Sequence, residues 1–280
     1  AKILNCSVDE CSVENGVVTG KESTISFGDI VAKGTFNRTF TPEEISNLPL
    51  KPTSKRNLIG KPSSALDIPA KTDGSAVYGI DVELEGMVYA RPIIPPTRYG
   101  SKITNVDDSA AKKIKGYIGY HKLQDPSENL QGWIAVEADT YYGAIKAADA
   151  IKVSYQAGET SKVSEEDILK EGERLVADKN EGGLFIDDGD FTTASEKAAK
   201  TIDAIYRTHT VLHFALEPVN ATVEEKNGQW HIYTGNQWQS LTLPAIAKAL
   251  QVTDENIVMH QQYLGGGFGR RLFGDYAIPA

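Results

Sequence analysis

The sequence predicts an α+β fold, and three observations carry that expectation. Short runs rich in β-branched and aromatic residues are bounded by turn residues, as strands are. Other stretches space their apolar residues at helical intervals behind cap residues. The block at residues 58–156 interleaves both kinds of segment and is long enough to bury a core of its own.

Element by element, residues 1–33 read as a short strand around residues 16–18 and a helix starting at Ser26. Residues 34–57 turn to Thr, Asn, Ser and Lys with Pro42, Pro49 and Pro52, and read as a surface linker lacking a periodic buried face. In the block 58–156, strands are expected at 76–82, 87–94 and 133–136, helices at 108–114 and 140–151, and a closing strand at 151–155. Residues 157–190 connect: an acidic helix at 164–176, with Ser164 as N-cap and Asp167 at the capping-box position, then a loop at 182–190. Its charge run reads as a solvated face. Thr193 and Glu196 read as a second capping box. The last block, 191–280, is expected to hold strands at 201–212, 221–224, 230–233 and 256–262 and a helix at 241–250.

Composition narrows the function classes. The 280 residues are 40% apolar and 24% charged, with a formal net charge of −9. That charge argues against nucleic acid, which needs clustered Lys and Arg; Arg270-Arg271 is the only basic cluster of note. No apolar run approaches the ~20 residues of a transmembrane helix. Two cysteines, Cys6 and Cys11, fall short of the roughly four ligands of an iron–sulfur cluster, so electrons from any redox step would leave to another polypeptide or domain. The pair reads first as two small half-buried residues and next as a disulfide. The chain opens at Ala1 and closes at Ala280 soon after its most distinctive loop, and reads as a fragment, a mature chain or one part of a split subunit.

The strongest local signal is Gly265-Gly266-Gly267-Phe268-Gly269-Arg270-Arg271, directly after an expected strand. Its glycines leave backbone N–H groups unshielded, so an anion or a planar cofactor can approach closely. The dinucleotide pattern fails because Arg270 stands where a third glycine is needed, and no Walker-type lysine follows. A triple glycine alone is equally well a tight turn. His209 and His213, evenly spaced on an expected strand, read as partly buried structural residues ahead of a zinc pair that lacks a third ligand. No Ser-His-Asp order or nucleophile elbow is present. Glu217-Pro218 reads as a carboxylate that orients a neighbouring loop ahead of a catalytic one. Gln237 would matter only if its turn faced the glycine loop, so that its amide could bond a shared ligand.

Taken in order, these pieces resemble one family. His213-Phe214-Ala215-Leu216-Glu217-Pro218 is similar to its H-x-x-x-E-P strand end, Gly235-Asn236-Gln237 to its G-T-Q turn with Asn for Thr, and residues 263–271 to its G-G-G-F-G loop. Upstream, Leu58-Ile59-Gly60-Lys61-Pro62 and Lys71-Thr72-Asp73-Gly74-Ser75-Ala76 resemble the entry to its hammerhead domain. The family is that of xanthine dehydrogenase/aldehyde oxidase molybdopterin-binding subunits. Arg270-Arg271 and residues 11–16 resemble its isoquinoline 1-oxidoreductase β-subunit branch.

The resemblance implies an α/β hammerhead domain at 58–156 followed at 191–280 by the first part of a molybdopterin-binding domain, with 1–33 a remnant of an N-terminal cofactor-domain segment. It implies a molybdenum hydroxylase that oxidises an aldehyde or N-heterocycle at carbon with water as the oxygen source. Its cofactor would be molybdopterin, as the cytosine dinucleotide. Electrons would pass to a small [2Fe–2S] subunit and on to an acceptor such as a cytochrome c, and many members of the branch are exported. By matched position Gln237 would hydrogen-bond an oxo ligand, and Gly266, Gly267, Phe268 and Gly269 would hold the cofactor. Arg270 would meet its anion by charge, and no residue would ligate the metal directly.

Two departures stand out. Leu272 replaces the glutamate of purine-oxidising members, which implies a non-purine substrate. The family's general-base glutamate has no match here, so this chain alone is expected to be inactive. The strands after Thr201 should also leave exposed an apolar patch of more than a few hundred Å². Two other function classes stay open: a metal-free hammerhead binding or assembly module, and a nucleotide-binding protein.

Overall fold

The computed structural model describes residues 1–34, 38–124, 126, 128–178, 181–183, 185–186 and 188–280, in two compact units, Ala1–Leu66 and Asp67–Ala280. Residues 35–37 of the expected linker, and Leu184 and Asp187 of the expected loop, lie outside the described residues.

In the first unit a three-stranded antiparallel meander runs β1 (Ser12–Glu14), β2 (Val17–Thr19) and β3 (Thr24–Ser26). Asn15 and Gly16, both at positive φ, form the two-residue turn between β1 and β2 and match the twist of paired strands. The strand expected around 16–18 is therefore the middle of a sheet. Helix α1 (Phe27–Lys33) starts where expected, the Ser26 hydroxyl accepting the Asp29 N–H at 3.0 Å. The linker expectation needs correction: 42–46 form a short helix, α2 (Pro42–Ser46). Thr41 and Glu44 cap it reciprocally and Pro42 supplies the first helical φ, which outweighs the polar composition.

The second unit opens with α3 (Ile68–Asp73), which the sequence reading missed, and then a single 3-10 turn at Gly79–Asp81 in place of the strand expected at 76–82. There Asp81 accepts the Tyr78 N–H at 2.9 Å, and Tyr78 keeps only an isolated parallel bridge to Tyr263. Next come β4 (Tyr89–Ile93), β5 (Lys102–Asp107), β6 (Tyr117–Lys122), β7 (Ile134–Ala138), α4 (Tyr141–Ala150) and β8 (Lys152–Gln156). Strands β4, β7 and β6 make an antiparallel sheet, and β5 pairs antiparallel with β8. The helix expected at 108–114 shrinks to a 3-10 turn, Ala111–Lys113, behind an Asp107–Ser109 side-chain turn. Helix α4 is capped by Thr140 and packs Ala147 with Ile134, Val136 and Ile151 in a closed core.

Helix α5 (Glu165–Ala177) carries the Ser164/Asp167 capping box that the sequence predicts, and it buries no residue. Helix α6 (Phe191–Glu196) is capped by Asp190 rather than Thr193, whose N–H donates to Asp190 at 3.0 Å. No strand forms at 201–212, and Ile202, Ile205, Tyr206, Val211, Leu212, Phe214 and Leu216 are exposed. The exposed apolar row expected there is present, but on unpaired backbone. β-Branched side chains favour a strand only where a partner strand covers them.

The chain then forms β9 (Thr222–Lys226), β10 (Gln229–Thr234), α7 (Gln239–Leu250) and β11 (Ile257–Gln261). Strand β9 pairs antiparallel with β10, and β11 returns parallel to β10 after the α7 crossover. Ile232, Ile246, Ala247, Ile257 and Tyr276 close this core.

Candidate functional site

Because β10 and β11 run parallel and side by side, the turn 235–237 and the glycine loop leave the sheet at the same end. The sequence alone left open whether Gln237 faces the loop; the parallel register brings them together.

What holds the two together is Arg271, fully buried. Its Nη2 donates to Glu217 Oε2 at 2.8 Å and to the Glu217 carbonyl at 2.9 Å, its Nε to the Gly266 carbonyl at 2.9 Å, and its Nη1 to the Gly235 carbonyl at 3.3 Å. A buried guanidinium is stable only when its charge is paired and its forked donors are filled, and here three loops fill them. Glu217 in turn takes the Ile80 N–H at 3.2 Å and the Asn220 amide at 3.0 Å on Oε1, and the Gly265 N–H at 2.9 Å on Oε2. Every partner of this carboxylate is a donor, so Glu217 orients loops, which was the preferred reading of its sequence.

Gln237 docks against the same loop. Its N–H donates to the Arg271 carbonyl at 3.1 Å, and its Oε1 accepts the Gly269 N–H at 3.1 Å and the Arg271 N–H at 3.3 Å. Two backbone donors on one side-chain atom identify that atom as the oxygen. The Nε2 group is thereby set opposite, and among the described residues it has no hydrogen-bond partner on an exposed side chain. The loop must come close for this. A Cβ on Gly267 would stand 2.6 Å from Gln237 Oε1, and one on Gly265 would overlap Glu217. Phe268 is 72% exposed at the loop tip.

The second arginine has a different setting. Arg270 Nη1 donates to Asp275 Oδ1 at 2.6 Å, and Arg98 Nη2 reaches Asp275 Oδ2 at 2.7 Å. Burial alone would raise the Asp275 carboxyl, but the two arginines hold it below the usual aspartate value. Burial pushes the Tyr276 hydroxyl up; it donates to the Gly235 carbonyl at 2.8 Å. Asn236, standing where the resemblance has Thr, is buried and bonds Thr242 Oγ1, the Arg271 carbonyl and the Tyr276 hydroxyl, tying α7 to the loop.

Sequence reasoning missed Arg271, Asn236 and Tyr276 as organisers. The adjacent arginines carried a signal, since only one of two neighbours can face the core, but nothing local said which. The histidine expectation is corrected: His209 lies on unpaired backbone, 78% of its side chain exposed, beside Glu165 at 3.1 Å, and His213 is exposed too. Among the described residues no group of three or more His, Cys, Asp or Glu is arranged to hold a metal, and no helix is long and apolar enough to cross a membrane.

Residues 176–280 match the family described as "Molybdopterin cofactor-binding domain". The full chain is 51% identical to a membrane-bound aldehyde dehydrogenase [pyrroloquinoline-quinone] of Gluconacetobacter polyoxogenes, covering 100% of this chain and 36% of that protein. It is 30% identical to the isoquinoline 1-oxidoreductase subunit beta of Brevundimonas diminuta over 80% of this chain and 29% of that protein. Over residues 176–280 the chain thus matches a molybdopterin cofactor-binding domain, and along its length it is similar to subunits of the xanthine dehydrogenase/aldehyde oxidase family. It spans about a third of the length of these curated relatives. A similar fold is seen in quinoline 2-oxidoreductase from Pseudomonas putida 86, which superposes with a TM-score of 0.54 at 17% identity over 76% of this chain and 31% of that one. The α+β class of the chain agrees with the sequence expectation.

Proposed function

We propose that this chain forms part of the cofactor-binding region of a molybdenum hydroxylase that oxidises an aldehyde or an N-heterocycle. The observation that carries the reading is the Gln237 amide, oriented by two loop N–H groups and left with a free donor edge. When bound, the molybdenum–pterin group supplies two-electron oxidation at carbon, with water as the oxygen source. The residues fit such a group. The glycine loop brings backbone within reach of an anion or planar ring, Gly266, Gly267, Phe268 and Gly269 would hold it, and Gln237 Nε2 would donate to an oxo ligand. Arg270 keeps N–H donors beyond those on Asp275 and would meet the cofactor's phosphate, and the resemblance carries the cytosine dinucleotide form.

Leu272, without an acidic group to hold a purine, supports a non-purine substrate. The aldehyde class draws support from the name of the relative at 51% identity. Two cysteines cannot ligate a cluster, which supports a separate [2Fe–2S] subunit and an acceptor such as a cytochrome c beyond it. No carboxylate here matches the family's general base, so the 280-residue chain by itself should not turn over. A second reading, with pyrroloquinoline quinone, comes from the name of that same relative.

One experiment separates these readings: molybdenum and iron analysis, with nucleotide release, on the protein purified from its source with its co-purifying partners. Molybdenum with a cytosine nucleotide supports the hydroxylase. A quinone without molybdenum supports the second reading. Intact complex holding neither would return Gln237 and the glycine loop to a structural role in a binding or assembly module.

A further inference from the structure

The first unit holds a feature that the cofactor site does not use. Cys6 and Cys11 flank the 3-10 turn Val8–Glu10, and their Sγ atoms stand 3.3 Å apart. Both residues are half-buried and free. The turn between them is pinned by the Ser7 N–H, which donates to Glu10 Oε2 at 3.0 Å, and Glu10 also pairs with Lys21. Gly20 closes over the Cys6 sulfur: a Cβ there would lie 3.0 Å from Cys6 Sγ and 3.3 Å from Leu4 Cβ. Cys6 also lines an open polar cavity of about 510 Å³ with Lys2, Asn5, Ser7 and Glu10.

From this geometry we infer that Cys6 and Cys11 are a modification site, a thiol pair set to close reversibly into a disulfide. The sulfurs need to approach by only about 1.2 Å to reach bonding distance, and the turn that separates them already holds them face to face. The cavity beside Cys6 admits a small disulfide-bearing oxidant. One cysteine thiolate attacks that oxidant's S–S bond and expels the first thiol. The second cysteine then attacks the mixed disulfide and expels the other. Two electrons pass from the pair to the oxidant, which leaves as two thiols carrying the two protons. Hydrogen bonding to Cys11, followed by desolvation, pushes the Cys6 thiol above its ordinary value.

The test uses the full chain equilibrated with oxidised and reduced glutathione, quenched with N-ethylmaleimide and read by peptide mass spectrometry. The expected result is a peptide about 2 Da lighter that takes up no maleimide and is restored by dithiothreitol. Its exchange equilibrium constant in the folded chain should exceed that in the urea-unfolded chain at least tenfold. Cys6→Ser and Cys11→Ser should each instead accumulate a stable glutathione adduct on the remaining cysteine. Equal constants in folded and unfolded chain, or two maleimides per folded chain under oxidising glutathione, would overturn the inference.

Discussion

Arg271 and Glu217 form an ion pair at 2.8 Å with 0% and 6% of their side chains exposed, and the pair joins the glycine loop to the segment before β9. Both charges have left water, so their worth lies in being matched. Removing one leaves the other buried and unpaired, at a cost of about 3–5 kcal/mol. Arg271→Met is therefore expected to lose stability of that order in urea unfolding. Glu217→Gln keeps the shape, but it leaves the Arg271 charge buried and unpaired and turns an N–H₂ toward a donor, so it should also cost about 3–5 kcal/mol. A Glu217→Gln chain as stable as its parent would contradict the all-donor environment.

The two halves of the Gln237 side chain have separable tasks. Gln237→Glu still offers oxygen to the Gly269 and Arg271 N–H groups but has no donor left. It should fold and load cofactor like the parent, while kcat in the purified complex falls by roughly 10²–10³. Measuring molybdenum and nucleotide content beside kcat distinguishes this from failed loading; unchanged kcat would remove Gln237 from the chemistry.

Gly267→Ala tests the closeness of the loop. Its Cβ would meet Gln237 Oε1 at 2.6 Å, so loop or amide must shift. The expected outcome is a complex with sharply reduced bound nucleotide. Its unfolding midpoint should fall only modestly, because the Arg271–Glu217 pair is untouched.

Asp275 carries a pH signature. Burial works against its charge, but Arg270 and Arg98 prevail and its folded value is depressed. Its contribution is complete above the ordinary aspartate value of ~3.9 and is lost as the pH falls through the folded value. The stability gap between the parent and Asp275→Asn should therefore be open at neutral pH and close in acid. A gap that persists unchanged below pH ~2 would exclude ionisation of Asp275 as its source.

What the sequence made legible was local or carried by a dense motif. Ser26, Thr140 and Ser164 cap helices because a short hydroxyl side chain reaches N–H groups two or three residues on, whatever the tertiary setting. The glycine loop and Gln237 stood out because few residue types permit so close an approach. Strands β5 and β6 were missed because Lys102–Asp107 and Tyr117–Lys122 carry polar residues on both faces, and only their partners make them strands. Residues 201–212 failed the opposite way, with strong β propensity and nothing paired to it. Arg270 and Arg271 are neighbours with the same side chain, and only the three-dimensional path of the loop decides which one faces the core.

One guanidinium serving three loops has a consequence for how this region opens. The carbonyls of Gly235, Gly266 and Glu217 all end on Arg271, so none of the three segments can swing out without breaking bonds that also restrain the others. Amide protons at Glu217, Gln237 and Gly265, one in each segment, should then exchange with deuterium at one shared opening free energy, as a single cooperative unit rather than as three independently fraying turns.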